Sequence, residues 1–290
     1  NVAVFIAGGA VVYFEVNYTT ALIEELLDAS GARVVLTDER LRPNLDGLPC
    51  NVLASPFVFS STKTTTGLDN NNGNRILFEP PVQTSSALAY CSMSSGTTGK
   101  PKAILVEHHS VLHNFFVRDA VCPYDPDPVA DREGCNVFFV WESLRAPVHG
   151  RVTVVVPDDV VVDARRLVAF LKLHAITRCM LTPSLLRNVL DQPGLDAKRS
   201  LGAHLRYLLL EGEVVPRQLV LDFAKRFSHT HNKNHRDNNN NNSITGGPAL
   251  VNYYSTWESL DATAAVLFDP KSSSLSSSSS SSSEHADFAD

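Results

Sequence analysis

The stretch from Leu88 to Lys102, LAYCSMSSGTTGKPK, places five Ser/Thr residues, two glycines and two lysines at the end of an apolar run. That mixture suits a loop that holds phosphate. Glycines allow close backbone approach, consecutive N–H groups form an anion-binding concavity, and the hydroxyls of Ser94, Ser95, Thr97 and Thr98 add donors. Lys100 and Lys102 bring the countercharge. A Walker A loop is excluded, because it needs four residues between its first glycine and its Gly-Lys pair and a Ser or Thr after the lysine. Here two residues separate Gly96 from Gly99, and Pro101 follows Lys100. By composition alone such a cluster reads as a plain surface loop, so the order of the residues carries the argument.

SSGTTGKPK, followed by AILVEHHSVLHNF, resembles the phosphate-loop signature of the adenylate-forming (AMP-binding) superfamily. That group includes acyl-CoA synthetases, luciferases and the adenylation domains of nonribosomal peptide synthetases. The usual form is T-S-G-T-T-G-x-P-K-G with a histidine about six residues on; His108 takes that place, and Ala103 replaces the last glycine. Other segments match in the family's order. Phe5 to Leu41 resembles its A-G-G-A and D-S-G-A region, and VWESL at Val140 to Leu144 and ITRCMLTPSLL at Ile176 to Leu186 follow. LRYLLLEGEVVP resembles L-R-x-x-x-x-G-G-E, and NYYSTWES at Asn252 to Ser259 resembles N-x-Y-G-P-T-E. The resemblance covers residues 1–268.

What the resemblance implies is a ligase that uses ATP and Mg²⁺ to activate a carboxylic acid as an acyl-adenylate, then passes it to a phosphopantetheine carrier or coenzyme A. Such a step needs charge neutralisation more than covalent help. Lys102, His108 and Glu258 match the catalytic positions, with His108 beside the reacting carboxylate. Ser94, Ser95, Gly96, Thr97, Thr98, Gly99 and Lys100 would close over the phosphates, and Asn252, Tyr254, Ser255 and Thr256 would meet the nucleotide. Tyr254 matches the aromatic residue that stacks on adenine. Glu258 and Thr98 are the expected Mg²⁺ ligands, hard oxygens suiting that ion. Two departures stand in the last motif, Ser255 for glycine and Trp257 for threonine, and Glu211 replaces the first glycine of G-G-E. Taken alone, Asn-Tyr-Tyr is a strand end with core aromatics, and a glutamate pair near a helix start is a favourable charge for the helix dipole.

Val137, Phe138, Trp141, Glu211 and Asp261 match the substrate pocket. In α-amino-acid activators an aspartate stands four residues before the tryptophan, where this chain has Val137. A desolvated α-ammonium without that countercharge costs several kcal/mol, on the order of any unpaired buried ion. Two substrate classes stay open: a β- or ω-amino acid whose amine meets Glu211 and Asp261, or an apolar or aryl acid. A degenerate, non-catalytic nucleotide-binding or interaction domain is the alternative to an enzyme.

The 290 residues, 43% hydrophobic and 19% charged, supply one large core or two subdomains. A net charge of −6 argues against nucleic acid or an anionic membrane as partner. Five scattered cysteines without a C-x-x-C pair suggest neither zinc nor a disulfide framework, and a reducing, cytoplasmic setting is the expectation. The chain opens mid-pattern without methionine, so a fragment incomplete at both ends is expected, a partial AMP-binding core over 1–268.

The elements that must position these residues follow from periodicity. Strands are predicted at Val11 to Phe14, Arg33 to Leu36, Ala87 to Ser92, Ala103 to Val106, Val152 to Val156, Arg178 to Leu181 and Leu205 to Leu210. Helices are predicted at Tyr18 to Ala29, His108 to Val117, Asp163 to Leu173, Pro183 to Leu190 and Pro216 to Phe227, with Gly31 stopping the first. This alternation predicts an α/β class with largely parallel sheets flanked by helices. By resemblance it is the large N-terminal domain of an acetyl-CoA-synthetase-like fold, incomplete. The polar insert 228–247 and the Ser-rich tail 269–290 cannot bury enough apolar surface to order themselves. Histidines 229, 231 and 235 in the insert read as mobile polar tract rather than metal ligands.

Overall fold

Threonine and glycine bound the first long helix. Thr19 accepts a hydrogen bond from the Leu22 N–H at 3.3 Å, and Gly31, at φ 67°, closes the other end through its N–H to the Leu27 carbonyl. The left-handed backbone at that cap is what glycine supplies without a Cβ penalty. Similar signals open two later helices, where Asp163 and Thr182 each accept from backbone N–H groups of the first turn.

The computed structural model describes residues 2–55, 68–69, 75–76, 81–94, 102–136, 140–196, 201, 204–228, 247–256 and 260–270. Two compact units emerge: Asn1–Phe116 with Thr256–Leu260, and Val117–Ser255 with Asp261–Asp290.

The first unit contains α1 (Val2–Ile6), β1 (Val11–Val12), α2 (Thr20–Ser30), β2 (Val34–Asp38), β3 (Asn51–Ser55), β4 (Leu68–Asp69), β5 (Arg75–Ile76), β6 (Leu88–Ser94) and β7 (Lys102–Glu107). Strand β1 runs parallel to β6, and β6 pairs antiparallel with β7. Strands β2 and β3 pair in parallel. Ile23 and Leu27 of α2 pack with Val35 of β2 and Leu48, so the apolar face expected of this helix is the one buried. Helix α3 (His108–Val121) spans the division between units and runs four residues beyond its predicted end.

The second unit holds β8 (Arg132–Cys135), α4 (Val140–Val148), β9 (Val152–Val155), α5 (Asp158–Val161), α6 (Ala164–Leu173), β10 (Arg178–Leu181), α7 (Pro183–Leu190), β11 (Tyr207–Leu210), α8 (Arg217–Phe227), β12 (Ala249–Thr256) and β13 (Leu260–Phe268). Its six strands run in the order β13-β12-β11-β10-β8-β9. The pairs β9–β8, β8–β10, β10–β11 and β11–β12 are all parallel.

Alternation along the central strands feeds two cores. Cys179, Leu181, Leu208, Leu210 and Leu250 face α6, α7 and α8, while Met180, Leu209, Val251 and Tyr253 face Cys122. A parallel sheet covered on both faces needs apolar residues in every register, which is what the run YLLL supplies. Asp131, wholly buried, ties the amino ends of the sheet together. It accepts from Thr177 Oγ1 at 2.7 Å and from Arg206 Nη1 at 2.9 and 2.7 Å.

Strand β11 starts at Tyr207 because the Leu205 N–H still donates back to the Leu201 carbonyl. Strands β3, β4, β5, β8, β12 and β13 and helices α1, α4 and α5 add to the predicted elements, β4 within residues 60–74, whose lack of periodicity reads as a loop. Insert residues 229–246 and the tail from 271 lie outside the described residues; at the insert's near end Ser228 donates its N–H to Ala224. No helix among the described residues is long and apolar enough to cross a membrane.

Candidate active site

In the first unit, β6 and β7 pair with Ser94 opposite Lys102. The antiparallel register holds the two ends of the Ser/Thr/Gly segment side by side. Ser95, Gly96, Thr97, Thr98, Gly99 and Lys100 lie outside the described residues, as does the side chain of Ser94. Lys102 is exposed at the start of β7. His108 opens α3, its N–H bonded to the Ala87 carbonyl at 3.0 Å. Its ring stands edge-on to Phe5 at 5.2 Å. The ring's Nε2 is buried and meets no hydrogen-bond partner among the described residues.

In the second unit Glu211, Asn252, Tyr254 and Ser255 lie at the carboxyl ends of the parallel strands β11 and β12. The chain leaves β8 to form β9 on one side and returns as β10 on the other. Strand order therefore reverses at β8, the place where open α/β sheets bind ligands. Val137 and Phe138, just after Asn136 in sequence, lie outside the described residues, as do Glu258 and the side chain of Asp261. Trp141, in the first turn of α4, is buried at 9% exposure. On β12, Asn252 pairs across from Leu210, and its Oδ1 is buried without a partner among the described residues. Tyr254 is 60% exposed. Ser255 donates its hydroxyl to Glu211 Oε1, and Thr256 ends the strand.

Glu213 serves helix α7, accepting from the Ser184 N–H at 3.0 Å and the Ser184 hydroxyl at 2.7 Å. Those bonds hold its carboxyl below the usual range. The charge thus sits at a helix N-terminus, but that of α7 rather than of the helix after it.

Glu211 joins a buried ionic line that sequence reasoning did not anticipate. Arg118 Nη2 donates to Glu211 at 2.8 Å and its Nη1 to Glu142 at 3.0 Å. Arg145 bonds Glu142 at 2.7 Å and Glu133 Oε1 through Nε at 3.0 Å. The Tyr124 hydroxyl donates to Glu133 at 2.5 Å. Arg178, stacked 4.0 Å over the Tyr124 ring, closes the deep end. Burial pushes the Glu133 carboxyl up, but Arg145 and Arg178 outweigh it and hold it below its ordinary value. Burial likewise works against the Arg145 cation, and Glu133 and Glu142 more than restore it.

A group whose carboxyl is depressed in the folded state contributes stability above its unfolded value, about 4.3 for glutamate. That contribution is lost as pH falls through the lower folded value. Urea midpoints of the protein between pH 7 and pH 3 should therefore fall more steeply than those of Glu133→Gln, whatever the offset between them. Parallel slopes would remove Glu133 from the acid response.

A family model described as AMP-binding enzyme matches residues 1–233. The chain belongs to the AMP-binding enzyme family. The chain is 35% identical over 226 residues to the glycine betaine reductase ATRR of Emericella nidulans, covering 76% of this chain and 16% of that protein. It is 30% identical over 225 residues to tyrocidine synthase 3 of Brevibacillus parabrevis, covering 75% and 3%. The chain thus spans a small part of the curated relatives it matches. Among solved structures, an O-succinylbenzoate coenzyme A synthetase from Bacillus subtilis in complex with ATP and magnesium superposes with TM-score 0.67 at 16% identity, covering 94% of this chain and 49% of that one. The N-terminal subdomain of Klebsiella oxytoca NpsA with 3-hydroxybenzoyl-AMSN gives 0.66 at 19%, covering 96% and 61%. These likenesses establish the fold as that of the N-terminal domain of adenylate-forming enzymes.

Enzymes of this family use ATP, and two buried polar atoms of this chain have no hydrogen-bond partner among the described residues. A buried Asn252 amide oxygen with no partner is costly unless a bound donor meets it, and His108 Nε2 is in the same position in its own unit. The described residues contain no group of three or more His, Cys, Asp or Glu side chains placed to hold a metal, and Thr98 and Glu258 lie outside them.

Proposed function

We propose that this chain activates a carboxylic acid with Mg·ATP and delivers the acyl group to a thiol, either a phosphopantetheine carrier or coenzyme A. The observation that carries the reading is the Ser94–Lys102 hairpin register, which brackets the Ser/Thr/Gly segment in a chain of the AMP-binding family. A carboxylate oxygen forms a bond to the α-phosphorus as the bond to the β-phosphoryl bridging oxygen breaks, and pyrophosphate leaves with the electron pair. A thiolate then displaces AMP from the acyl carbon.

In this scheme Lys102 and Lys100 offset charge on the phosphates while hydroxyls and N–H groups of Ser94 to Gly99 hold them. His108, with its second ring nitrogen uncommitted, orients the carboxylate. The exposed Tyr254 ring offers a face to the adenine, and the Asn252 amide oxygen accepts from it or from the ribose. Magnesium would be held by Glu258 and Thr98 and would neutralise the departing pyrophosphate. For the acid, Val137 in place of an aspartate disfavours an α-amino acid. ATRR is named for glycine betaine, a carboxylic acid with a quaternary nitrogen, which supports a non-standard acid. Trp257 in place of threonine in the nucleotide motif favours the second reading, a non-catalytic nucleotide-binding or interaction domain.

Thermal unfolding with and without Mg·ATP tests the nucleotide site. Ligand at a hundred times its Kd adds about 2.7 kcal/mol, so an upward shift in Tm is expected, abolished by Lys102→Ala. A melt that ATP leaves in place would defeat the reading.

A further inference from the structure

Two successive residues of α3 tie it to α4 in different ways. Arg118 donates to Glu142, in the first turn of α4, at 3.0 Å. Asp119 Oδ2 meets Nε2 of His149, the residue after the helix ends, at 2.5 Å. The first tie is permanent, because a guanidinium keeps its proton in proteins. The second depends on a proton.

The His149 imidazole faces oxygen on both sides. Its Nδ1 lies 2.8 Å from the Arg145 carbonyl, which only accepts, and its Nε2 lies against the Asp119 carboxyl. A neutral ring carries one N–H and can serve one of these contacts but not both. Both are made when the pair holds one proton more, as imidazolium beside carboxylate or as neutral ring beside carboxylic acid, and the two placements titrate as one unit. Asp119 Oδ1 is buried with no hydrogen-bond partner among the described residues, which makes the bare carboxylate costly. Burial accordingly pushes this carboxyl up, and His149, Arg178 and Arg145 pull against it without cancelling the rise.

The neighbours keep their charge near neutral pH. Arg145 of α4, Arg151 before β9 and Arg178 of β10 stay cationic. Glu142 is held by two guanidinium groups, and Glu133 of β8, despite its burial, is kept below its ordinary value by Arg145 and Arg178. Burial pushes up both the Cys122 thiol and the hydroxyl of Tyr124, whose ring lies 5.0 Å from the imidazole. Within this cluster the Asp119–His149 pair is the one that changes charge there.

We propose that Asp119 and His149 form a proton-dependent latch on the last turn of α4, closed while the pair holds its shared proton and open once that proton leaves. Arg118 and Glu142 hold the start of the helix in either state. An unfolded chain gives up its histidine proton near pH 6.5, so the latch is complete below about that value and loosens as pH rises through the pair's own. The N–H groups of His149, Gly150 and Arg151 donate back to the carbonyls of Ala146, Pro147 and Ala146 at 3.1, 2.9 and 2.8 Å, and these are the bonds that opening exposes.

Native-state hydrogen exchange of the whole chain tests the latch. Once the intrinsic rise of exchange with pH is allowed for, protection at residues 149–151 should fall about ten-fold between about pH 6 and pH 8.5, the scale of one charge-assisted hydrogen bond, while Leu144 and Arg145 keep theirs. Asp119→Asn identifies the cause. Its amide can donate to Nε2 while Nδ1 keeps its hydrogen, so both contacts survive without the extra proton, and protection should change less than two-fold over the same range. His149→Gln, with nothing to ionise, should be equally flat. Flat protection in the native chain overturns the proposal, and so does a ten-fold loss that persists in either variant. A loss shared equally by Leu144 and Arg145 overturns it as well, since the Arg118 tie would then not hold the rest of the helix.

Discussion

Arg145→Ala is expected to lower the unfolding free energy by about 3–5 kcal/mol, because it takes the cation shared by two buried carboxylates and leaves Glu142 only Arg118 and Glu133 only the more distant Arg178. Arg145 is 1% exposed and bonds Glu133 and Glu142, themselves 5% and 7% exposed. Folded proteins stand only about 5–15 kcal/mol above their unfolded states, so the loss consumes a large share of the total. It arises from buried charge left short of a cation rather than from the worth of the pair. A triple variant, Arg145→Met with Glu133→Gln and Glu142→Gln, removes the charges together and should recover most of the loss. Urea unfolding read at constant slope separates these outcomes. A single variant that costs under about 1 kcal/mol, or a triple no better than the single, would show that the ions are not desolvated as drawn.

The same buried ions explain what the sequence concealed. Strand β10 and helix α7 were legible to the residue because RCML is followed by Thr182 and Pro183, a cap and a first-turn proline, and because Cys179–Leu181 and the buried face of α7 are apolar. Strand β8, Arg132–Cys135, buries Glu133 and Gly134 where an apolar side chain would be expected. Helix α4, Val140–Val148, turns Glu142 and Arg145 inward and carries Pro147 inside it. Neither shows apolar periodicity, since the groups that make their burial tolerable come from Arg118, Tyr124 and Arg178, distant in sequence. Glu142 and Arg145 at i,i+3 read equally as an exposed surface pair.

For the site, the motif order marked the chain's family and the strand ends that hold Asn252, Tyr254 and Glu211. The Arg118–Glu211–Ser255 contact was not legible, because it joins three segments through two residues that the family motif leaves as glycine. Two departures that each look like a local loss prove to be one contact.

Phe223→Ala should cost a similar amount, about 3–5 kcal/mol, by a different physics, and the contrast tests both. Phe223 has no exposed surface. Its ring stacks on Phe227 at 4.4 Å, one helical turn on in α8, and stands edge-on to Phe268 of β13 at 5.7 Å. Truncation removes the transfer free energy of a large ring and leaves a cavity walled by two aromatics that α8 and β13 hold in place. No charge is stranded, so the loss should be the same at pH 7 and pH 5 and indifferent to salt. Phe223→Leu should restore much of it by refilling the space, whereas no neutral residue at 145 alone should rescue Arg145→Ala, since Glu133 and Glu142 would remain without their cation. A Phe223→Ala penalty below about 1 kcal/mol would mean that α8 does not depend on this ring for its docking to the sheet.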